Sequence, residues 1–531
     1  MLKPLPYPSA IAGRENNSHG FLRRWFVLAL LLCLVALIGG CARSSSQLRV
    51  GAHSVDVSPL KLPAIRNGGF IQRTEDRVVD PLYARCFVIE SGQETIAIAV
   101  VDSCMIPSDV CERAKELAHQ QTGIAFDRIL ISSTHTHNAP SVMNMCLGSN
   151  SDPDYEAFLP PKIAEGIAQA YSNLEPARVG WTVVEAPDHT HCRRWLIHPD
   201  KYADDPFGEK TVRAMMHPGY QNPDYIGEAG PVDSGLTLLS FQSSNGERPI
   251  GLLANYSMHY FGVRGGFSAD YYGLFCDLME AKIRSTDSGN TPYVVAMSQG
   301  TSGDLHWMDY SNPRKENYGI ERYSEELTDI VYEAYNNIEY ITDMPELSMV
   351  EKAITLKRRL AGGQRMAWAN EMNSRRGGRR PENRPEVYAE QAIWLLENPE
   401  EKLILQAIRI GDLGITAMPN EVYGITGLKL KAQSPFETTV NMSLANGAAG
   451  YIPPPEQHYL GGYTTWPART AALEQDAEPQ IVDALLGMLE ELSGRNRKAL
   501  DTDFYNEEQR VAIAKAVADD NNRANRGLDH R

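Results

Sequence analysis

Strand-length apolar runs that end in polar, chemistry-bearing residues recur along this chain, and they limit the fold more than any other feature. Thr95–Val101, Pro249–Tyr256, Leu403–Ile410 and Leu413–Met418 are four of them. Further strand candidates are Arg85–Glu90, Arg128–Ser132, Leu236–Phe241, Tyr293–Met297 and Met349–Leu360. Between them lie stretches of helical length and pattern: Ser108–Gln121, Tyr155–Asn173, Glu321–Ile338, Pro385–Leu396 and Glu478–Leu492. Several of these open on Ser, Asp or Pro, as helix starts do. Such alternation predicts an α/β chain, a layered mixed β-sheet sandwich with flanking helices and chemistry at the strand ends.

The most suggestive end is Ile131-Ser132-Ser133-Thr134-His135-Thr136-His137. In a strand, residues i and i+2 share a face. His135 and His137 are therefore expected to leave the sheet together, able to share one metal or one substrate oxygen. Three other segments have the same character. One runs from Leu252 through Asn255-Tyr256-Ser257-Met258-His259, another is Ile415-Thr416-Ala417-Met418-Pro419-Asn420-Glu421, and the third carries Gly450-Tyr451 followed by His458-Tyr459-Leu460-Gly461-Gly462-Tyr463. Each has an ordinary explanation: a lone histidine at a strand end is commonly a hydrogen-bonded rim residue, and Glu421 could complement a helix dipole. Together they offer imidazoles, a carboxylate and a phenol, a set that suits a borderline metal such as zinc and leaves room for water. An HExxH motif is absent.

The amino terminus sets the compartment. Arg23-Arg24 precede an apolar run from Trp25 to Ile38, which is shorter than the roughly 20 residues that span a bilayer, and the run closes on Gly39-Gly40-Cys41. We read residues 1–40 as a secretory signal, Cys41 as a lipidated residue of lipobox type, and residues 41–47 as a tether. An uncleaved signal anchor with a chance cysteine is the alternative. Ala42 after the cysteine fits retention at the periplasmic face of an outer membrane, so the expected membrane contact is a lipid anchor. Residues 48–531 are then expected to form a single catalytic domain with a helical carboxy-terminal extension, Asp503–Asp519. The formal charge of −16 becomes more negative without the signal, which carries Lys3, Arg14, Arg23 and Arg24 against Glu15. That balance argues against nucleic acid as a partner, since phosphate contacts need clustered Lys and Arg. The basic run Arg375–Arg380 lies in a Gly-, Arg- and Pro-rich stretch, 362–386, that reads as an exposed surface excursion. Cys86, Cys104, Cys111, Cys146, Cys192 and Cys276 are scattered, and we expect mostly buried thiols with one or two disulfides open.

The motif order is specific. Thr-His-Thr-His comes first, followed by Cys192-Arg193, Asn-Tyr-Ser-x-His, Gly303-Asp304, Pro-x-Glu, and Gly-Tyr with a later Tyr-x-Gly-x-x-Thr; this order resembles the neutral/alkaline ceramidase family. The likeness covers roughly Val50 to Trp466, including Asp80-Pro81-Leu82-Tyr83-Ala84-Arg85. The resemblance implies a Zn2+ cofactor held by His135, His259, Glu421 and Tyr451, with either His135 or His137 as the first histidine ligand. It also implies His137 beside the metal as a hydrogen-bond donor, Arg193 as an oxyanion group, and Tyr459 near the scissile amide, with Tyr463 competing for that place. Arg193 could instead pair with a carboxylate, and Tyr459 could be a packed loop aromatic.

The implied activity is hydrolysis of an N-acyl bond in ceramide or a ceramide-like lipid amide by metal-activated water. One departure bears on substrate. Where the family has Gly-Asp-x-Ser-Pro-Asn, this chain has Gly303-Asp304-Leu305-His306-Trp307-Met308, so His306 replaces the serine, either as an acid/base group or as packing. The family's longer enzymes carry a further β-sandwich-like domain, which we expect this chain to lack. Two other readings stand beside this one: a metallohydrolase of the same scaffold acting on a different ester or N-acyl substrate, and a non-catalytic metal-binding lipoprotein.

Overall fold

The structure, a computed structural model, describes residues 45–284, 293–341 and 344–524. The expected signal and the lipidation residue Cys41 lie outside the described residues. Strand Ser45–Asp56 takes up the last residues of the expected tether.

A strand such as Glu94–Val101, buried along six consecutive residues, must be covered on both faces. The chain meets that demand with two stacked sheets and helices outside each. Among the described residues the larger sheet has nine strands. Its path runs Val294–Gln299, Pro249–Tyr256, Gly235–Ser243, Glu175–Glu185, Ser45–Asp56, Tyr83–Gly92, Glu94–Val101 and Ile129–Ser133, with Tyr340–Ile341 added on Glu175–Glu185. The smaller sheet is Leu347–Lys357, Glu400–Ile410, Leu413–Ala417 and Thr438–Met442. Phe87, Ile98, Phe241 and Leu253 of the first sheet meet Met349, Ile408, Ile415 and Val440 of the second in one buried core. Helices Ser108–Thr122 and Pro153–Ser172 cover the outer face of the larger sheet at one end, and Asp270–Arg284 and Ile320–Tyr335 cover it at the other. Helix Ala477–Ser493 covers the smaller sheet with Leu485 and Leu489. The expected layered sandwich is the observed one.

Both sheets are mixed, and the parallel pairs decide where the chemistry sits. Pro249–Tyr256 runs parallel to Val294–Gln299, Glu94–Val101 to Ile129–Ser133, and Leu413–Ala417 to Thr438–Met442. In such pairs the carboxyl ends fall on one side, where loops gather. The two edges of the larger sheet converge there through a loop of the smaller one: Ser133 N–H donates to the Leu444 carbonyl at 3.1 Å, and Ser443 N–H to the Gln299 carbonyl at 3.0 Å.

Three expectations were displaced. The stretch 362–386 contains helix Gly363–Arg376 and the start of helix Arg384–Glu397, two helices that pack on each other. Its arginines end the first helix, where cations suit the dipole, and Gly377, at φ +61°, caps it. Helix Asp270–Arg284 is not among the expected helices, although Tyr272, Phe275, Cys276, Met279 and Ile283 recur at helical spacing along its buried face. The histidine pair lies beyond the strand, which ends at Ser133. The described cysteines are all free and buried, and among the described residues no helix is long and apolar enough to cross a membrane.

Candidate active site

His135 adopts a left-handed backbone, φ +75°, with its N–H bonded to the Ser103 carbonyl at 2.9 Å. A non-glycine residue held in that region costs on the order of 1 kcal/mol or more. The turn replaces the expected strand alternation, and it still brings the rings together: His135 and His137 meet edge to face, their Nε2 atoms 3.2 Å apart. His259, three residues past its strand, brings its Nε2 to 3.1 Å from that of His135. Glu421 Oε2 lies 3.2 Å from the same nitrogen. His135, His259 and Glu421 are buried, and their ligand atoms all lie within 4.8 Å of one another.

Tautomers explain what this cluster wants. His135 Nδ1 contacts the Cys104 carbonyl at 2.8 Å and His259 Nδ1 the Ser302 carbonyl at 3.2 Å. A carbonyl can only accept, so in the neutral rings each Nδ1 carries the proton and each Nε2 points a lone pair inward. Burial first, then neighbouring charge (Arg193 for His259, His135 for His137), holds the pKa of His259 and of His137 well below the ordinary histidine range. Neither Glu421 carboxylate oxygen is held in a well-formed hydrogen bond, and the Tyr451 hydroxyl is a donor that interacts with the carboxylate. The inward-facing acceptors of His135, His259 and Glu421 fit a cation, and an imidazole, imidazole and carboxylate set fits a divalent metal such as zinc.

The other named residues divide. Tyr451 sits opposite Glu421 in the parallel pairing of Glu421–Val422 with Tyr451–Ile452, so the two share a face. Burial raises the Tyr451 phenol well above the ordinary range. Arg193 is buried, donates to the Tyr451 hydroxyl at 3.2 Å and to the Gly303 carbonyl at 2.7 Å, and leaves its Nε unpartnered. Among the described residues no carboxylate pairs with it. Tyr459 is placed elsewhere: it lines a small separate cavity with Phe207 and Arg213, its carbonyl accepting from Arg213 at 3.0 Å. Tyr463 lines the main cavity, edge to face with Tyr451 at 6.0 Å. The Tyr-x-Gly-x-x-Thr spacing fits Tyr459, and only the turn through Gly461 and Gly462, both at positive φ, swings Tyr463 inward.

His137, His259, Glu421, Arg193, Tyr451 and Tyr463 all face a cavity of about 420 Å3, whose remaining wall is largely apolar and includes Phe70, Met105, Leu147, Met215 and Tyr388. His217 also lines it, at φ +58° with Nδ1 2.6 Å from the Tyr310 hydroxyl, and burial with Arg193 pushes its pKa down to about 3. Nothing in the sequence marked this isolated histidine. His306 stands behind it, 5.2 Å from the His217 ring and 5.8 Å from Tyr260, buried and with Nδ1 unpartnered. His306 therefore packs behind His217 and is not itself among the residues that line this cavity.

Other motif residues build rather than react. Asn255 ties the two sheets by donating to Ser298 Oγ at 3.0 Å and the Asn441 carbonyl at 3.1 Å. Asp304 accepts from the Gly424 N–H at 2.8 Å, at the start of the helix that follows Glu421. Asp80 accepts from Ser268 Oγ and the Ala269 N–H, just ahead of helix Asp270–Arg284. Arg85 and Asp102 form a buried ion pair at 2.6 Å.

Gly68, at φ +88°, supports His137 from behind, and a Cβ there would stand 2.5 Å from His137 Nδ1. Gly68→Ala is expected to destabilise the fold by about 2 kcal/mol or more, from backbone strain plus overpacking. A denaturant midpoint and a zinc titration would check it: a normal midpoint with normal zinc affinity would show that the ring can give way.

The match to known proteins follows this geometry. Residues 71–307 match the family described as neutral/alkaline non-lysosomal ceramidase, N-terminal. The fold is similar to that of neutral ceramidase from Pseudomonas aeruginosa, 17% identical with TM-score 0.62, covering 87% of this chain and 77% of that one. It is similar also to a ceramidase complexed with C2, 15% identical with TM-score 0.62, covering 87% of this chain and 78% of that one. No curated protein sequence matches the chain.

Proposed function

We propose that this chain, whose residues 71–307 match the neutral/alkaline non-lysosomal ceramidase family, is a metal-dependent hydrolase of N-acyl bonds, with ceramide or a ceramide-like lipid amide as substrate. The convergence of His135, His259 and Glu421 on one point, all acceptors, carries the reading. His135 is the first histidine ligand in this reading, because it alone of the pair groups with both His259 and Glu421. Tyr451 completes the set from across the strand pair. Zinc bound there would polarise a carbonyl and lower the pKa of a water.

The chain's own residues do the rest. Arg193, buried and with an unused Nε, offers its guanidinium to the oxygen on which negative charge develops. His137, kept neutral by burial, can take a proton from the attacking water and return it to the leaving nitrogen. Tyr463 takes the place expected of Tyr459 as the phenol beside the amide. The apolar wall from Phe70 to Tyr388 holds an acyl chain and excludes bulk water. We further read the enzyme as lipid-anchored through Cys41 at the periplasmic face of an outer membrane, on the strength of Gly39-Gly40-Cys41-Ala42.

A second reading, hydrolysis of another N-acyl compound or an ester, is favoured by one observation: His306 stands where the family carries its serine and packs against His217, which lines the cavity. Fatty-acid release from N-acyl-sphingosine by zinc-loaded protein, before and after chelation, beside a panel of other N-acyl compounds and esters, separates the two. Release from ceramide that chelation stops is the expected result. Release only from another panel member would shift the substrate, and undiminished release after complete metal removal would sink the metal-dependent mechanism.

A further inference from the structure

The chain is strongly acidic overall, yet the charged side chains lining the cavity are Arg193, Arg384 and Glu421, a cationic excess. Arg193 serves the floor. Arg384 has no task in the mechanism. It is the first residue of helix Arg384–Glu397, exposed, with its guanidinium carbon 4.7 Å above the Phe70 ring. The carboxylates near it in sequence are engaged elsewhere: Glu382 and Glu386 bind Arg379, and Glu390 binds Arg376. Phe70 in turn meets Tyr463 edge to face at 5.9 Å, so a wall of rings leads from Arg384 to Tyr451 and the acceptor cluster. The Tyr463 phenol feels Arg193, Glu421 and Arg384. A guanidinium held over an aromatic face, with its edge free, presents donors in a fixed fork suited to a carboxylate, sulfonate or phosphate.

We propose that Arg384 is a specificity-determining residue that recognises an anionic group on the substrate, at the end facing the cavity mouth and removed from the scissile amide by several bonds. This rests on the amidase reading and narrows it. A plain neutral ceramide leaves Arg384 unused. A lipid amide bearing an acidic group engages both the floor and the mouth, and a cationic cavity in an acidic protein concentrates such an anion where the chemistry is.

The test pairs anionic and neutral amides of equal length: N-lauroyl-6-aminohexanoate against its methylamide, for an anion on the amine half, and the N-hexyl monoamide of dodecanedioic acid against its methyl ester, for one on the acyl half. For zinc-loaded wild type, Arg384→Met and Arg384→Lys, kcat/KM and calorimetric Kd are read at low and moderate salt. The expected result is that the anionic-to-neutral ratio in one pair falls about tenfold in Arg384→Met and is partly kept in Arg384→Lys. In wild type the ratio should also fall as salt rises. Equal ratios in wild type and Arg384→Met, in kcat/KM and in Kd, would overturn the proposal. If no amide is hydrolysed, the amidase reading fails while Kd still decides the role of Arg384.

Discussion

Glu421→Gln is expected to lower hydrolysis by about a thousandfold or more and to abolish tight zinc binding. The substitution keeps the shape and removes the one formal negative charge among the clustered acceptors. Losing a bound metal's stabilisation of the transition state costs several kcal/mol, and each 1.36 kcal/mol is a factor of ten in rate. Stability should respond in the opposite sense. Without metal, the Glu421 carboxylate is buried with no well-formed hydrogen bond on either oxygen and lies 3.2 Å from His135 Nε2. An amide there can donate to that nitrogen, so metal-free Glu421→Gln should melt no lower than metal-free wild type. Zinc should then raise the melting temperature of wild type alone, by mass action on the folded state. Thermal scans with and without chelator, with metal content measured on the same samples, check both halves. Full zinc occupancy together with full activity in the variant would remove Glu421 from the ligand set.

Arg193→Met is expected to reduce kcat by about 100- to 1,000-fold, the range seen when one donor is removed from a developing oxyanion. KM should change little if the guanidinium acts mainly in the transition state. The fold should tolerate the change. Burial opposes the charged guanidinium, while the phenols of Tyr463, Tyr451 and Tyr260 and the Glu421 carboxylate hold it protonated, with a pKa above the ordinary arginine range. Replacing a buried charge by an apolar chain of similar length removes that desolvation cost, which offsets the lost hydrogen bonds to Tyr451 and Gly303. A melting temperature within a few degrees of wild type, with the loss confined to kcat, is the predicted pattern. A large rise in KM with kcat intact would make Arg193 a binding group instead.

How much of this was legible beforehand depends on the kind of signal. Strand Pro249–Tyr256 was placed to the residue, and helix Ser108–Thr122 to within one, because burial on both faces and a capped apolar period are local properties. His259 and Glu421 could be named because each follows an apolar strand within a few residues, and Tyr451 because it follows Gly450 in a segment of the same polar, chemistry-bearing character. The sequence left open the choice between His135 and His137, since what sets them apart is spatial: His135, turned by its left-handed backbone, groups with both His259 and Glu421, and His137 does not. The Tyr459 assignment went to the neighbouring cavity for a similar reason: two tyrosines four residues apart look alike until the loop through Gly461 and Gly462 chooses its direction.

The sequence by itself determined the layers, since apolar runs of strand length alternating with amphipathic helices have few ways to bury both faces. It also determined which residue types stand at the strand ends, because hydrophobic period and chain order are written in one dimension. Only the tertiary structure decided which of those ends meet. The loop holding Ser443 and Leu444 draws together the two edges of the larger sheet, and so His135 reaches His259 across 124 residues of chain. His217 and Arg384, which no local pattern distinguishes, also come to the wall of the cavity only in the folded chain. Contacts between residues far apart in sequence arise from the sum of packing over the whole chain, and no short window of residues contains that sum.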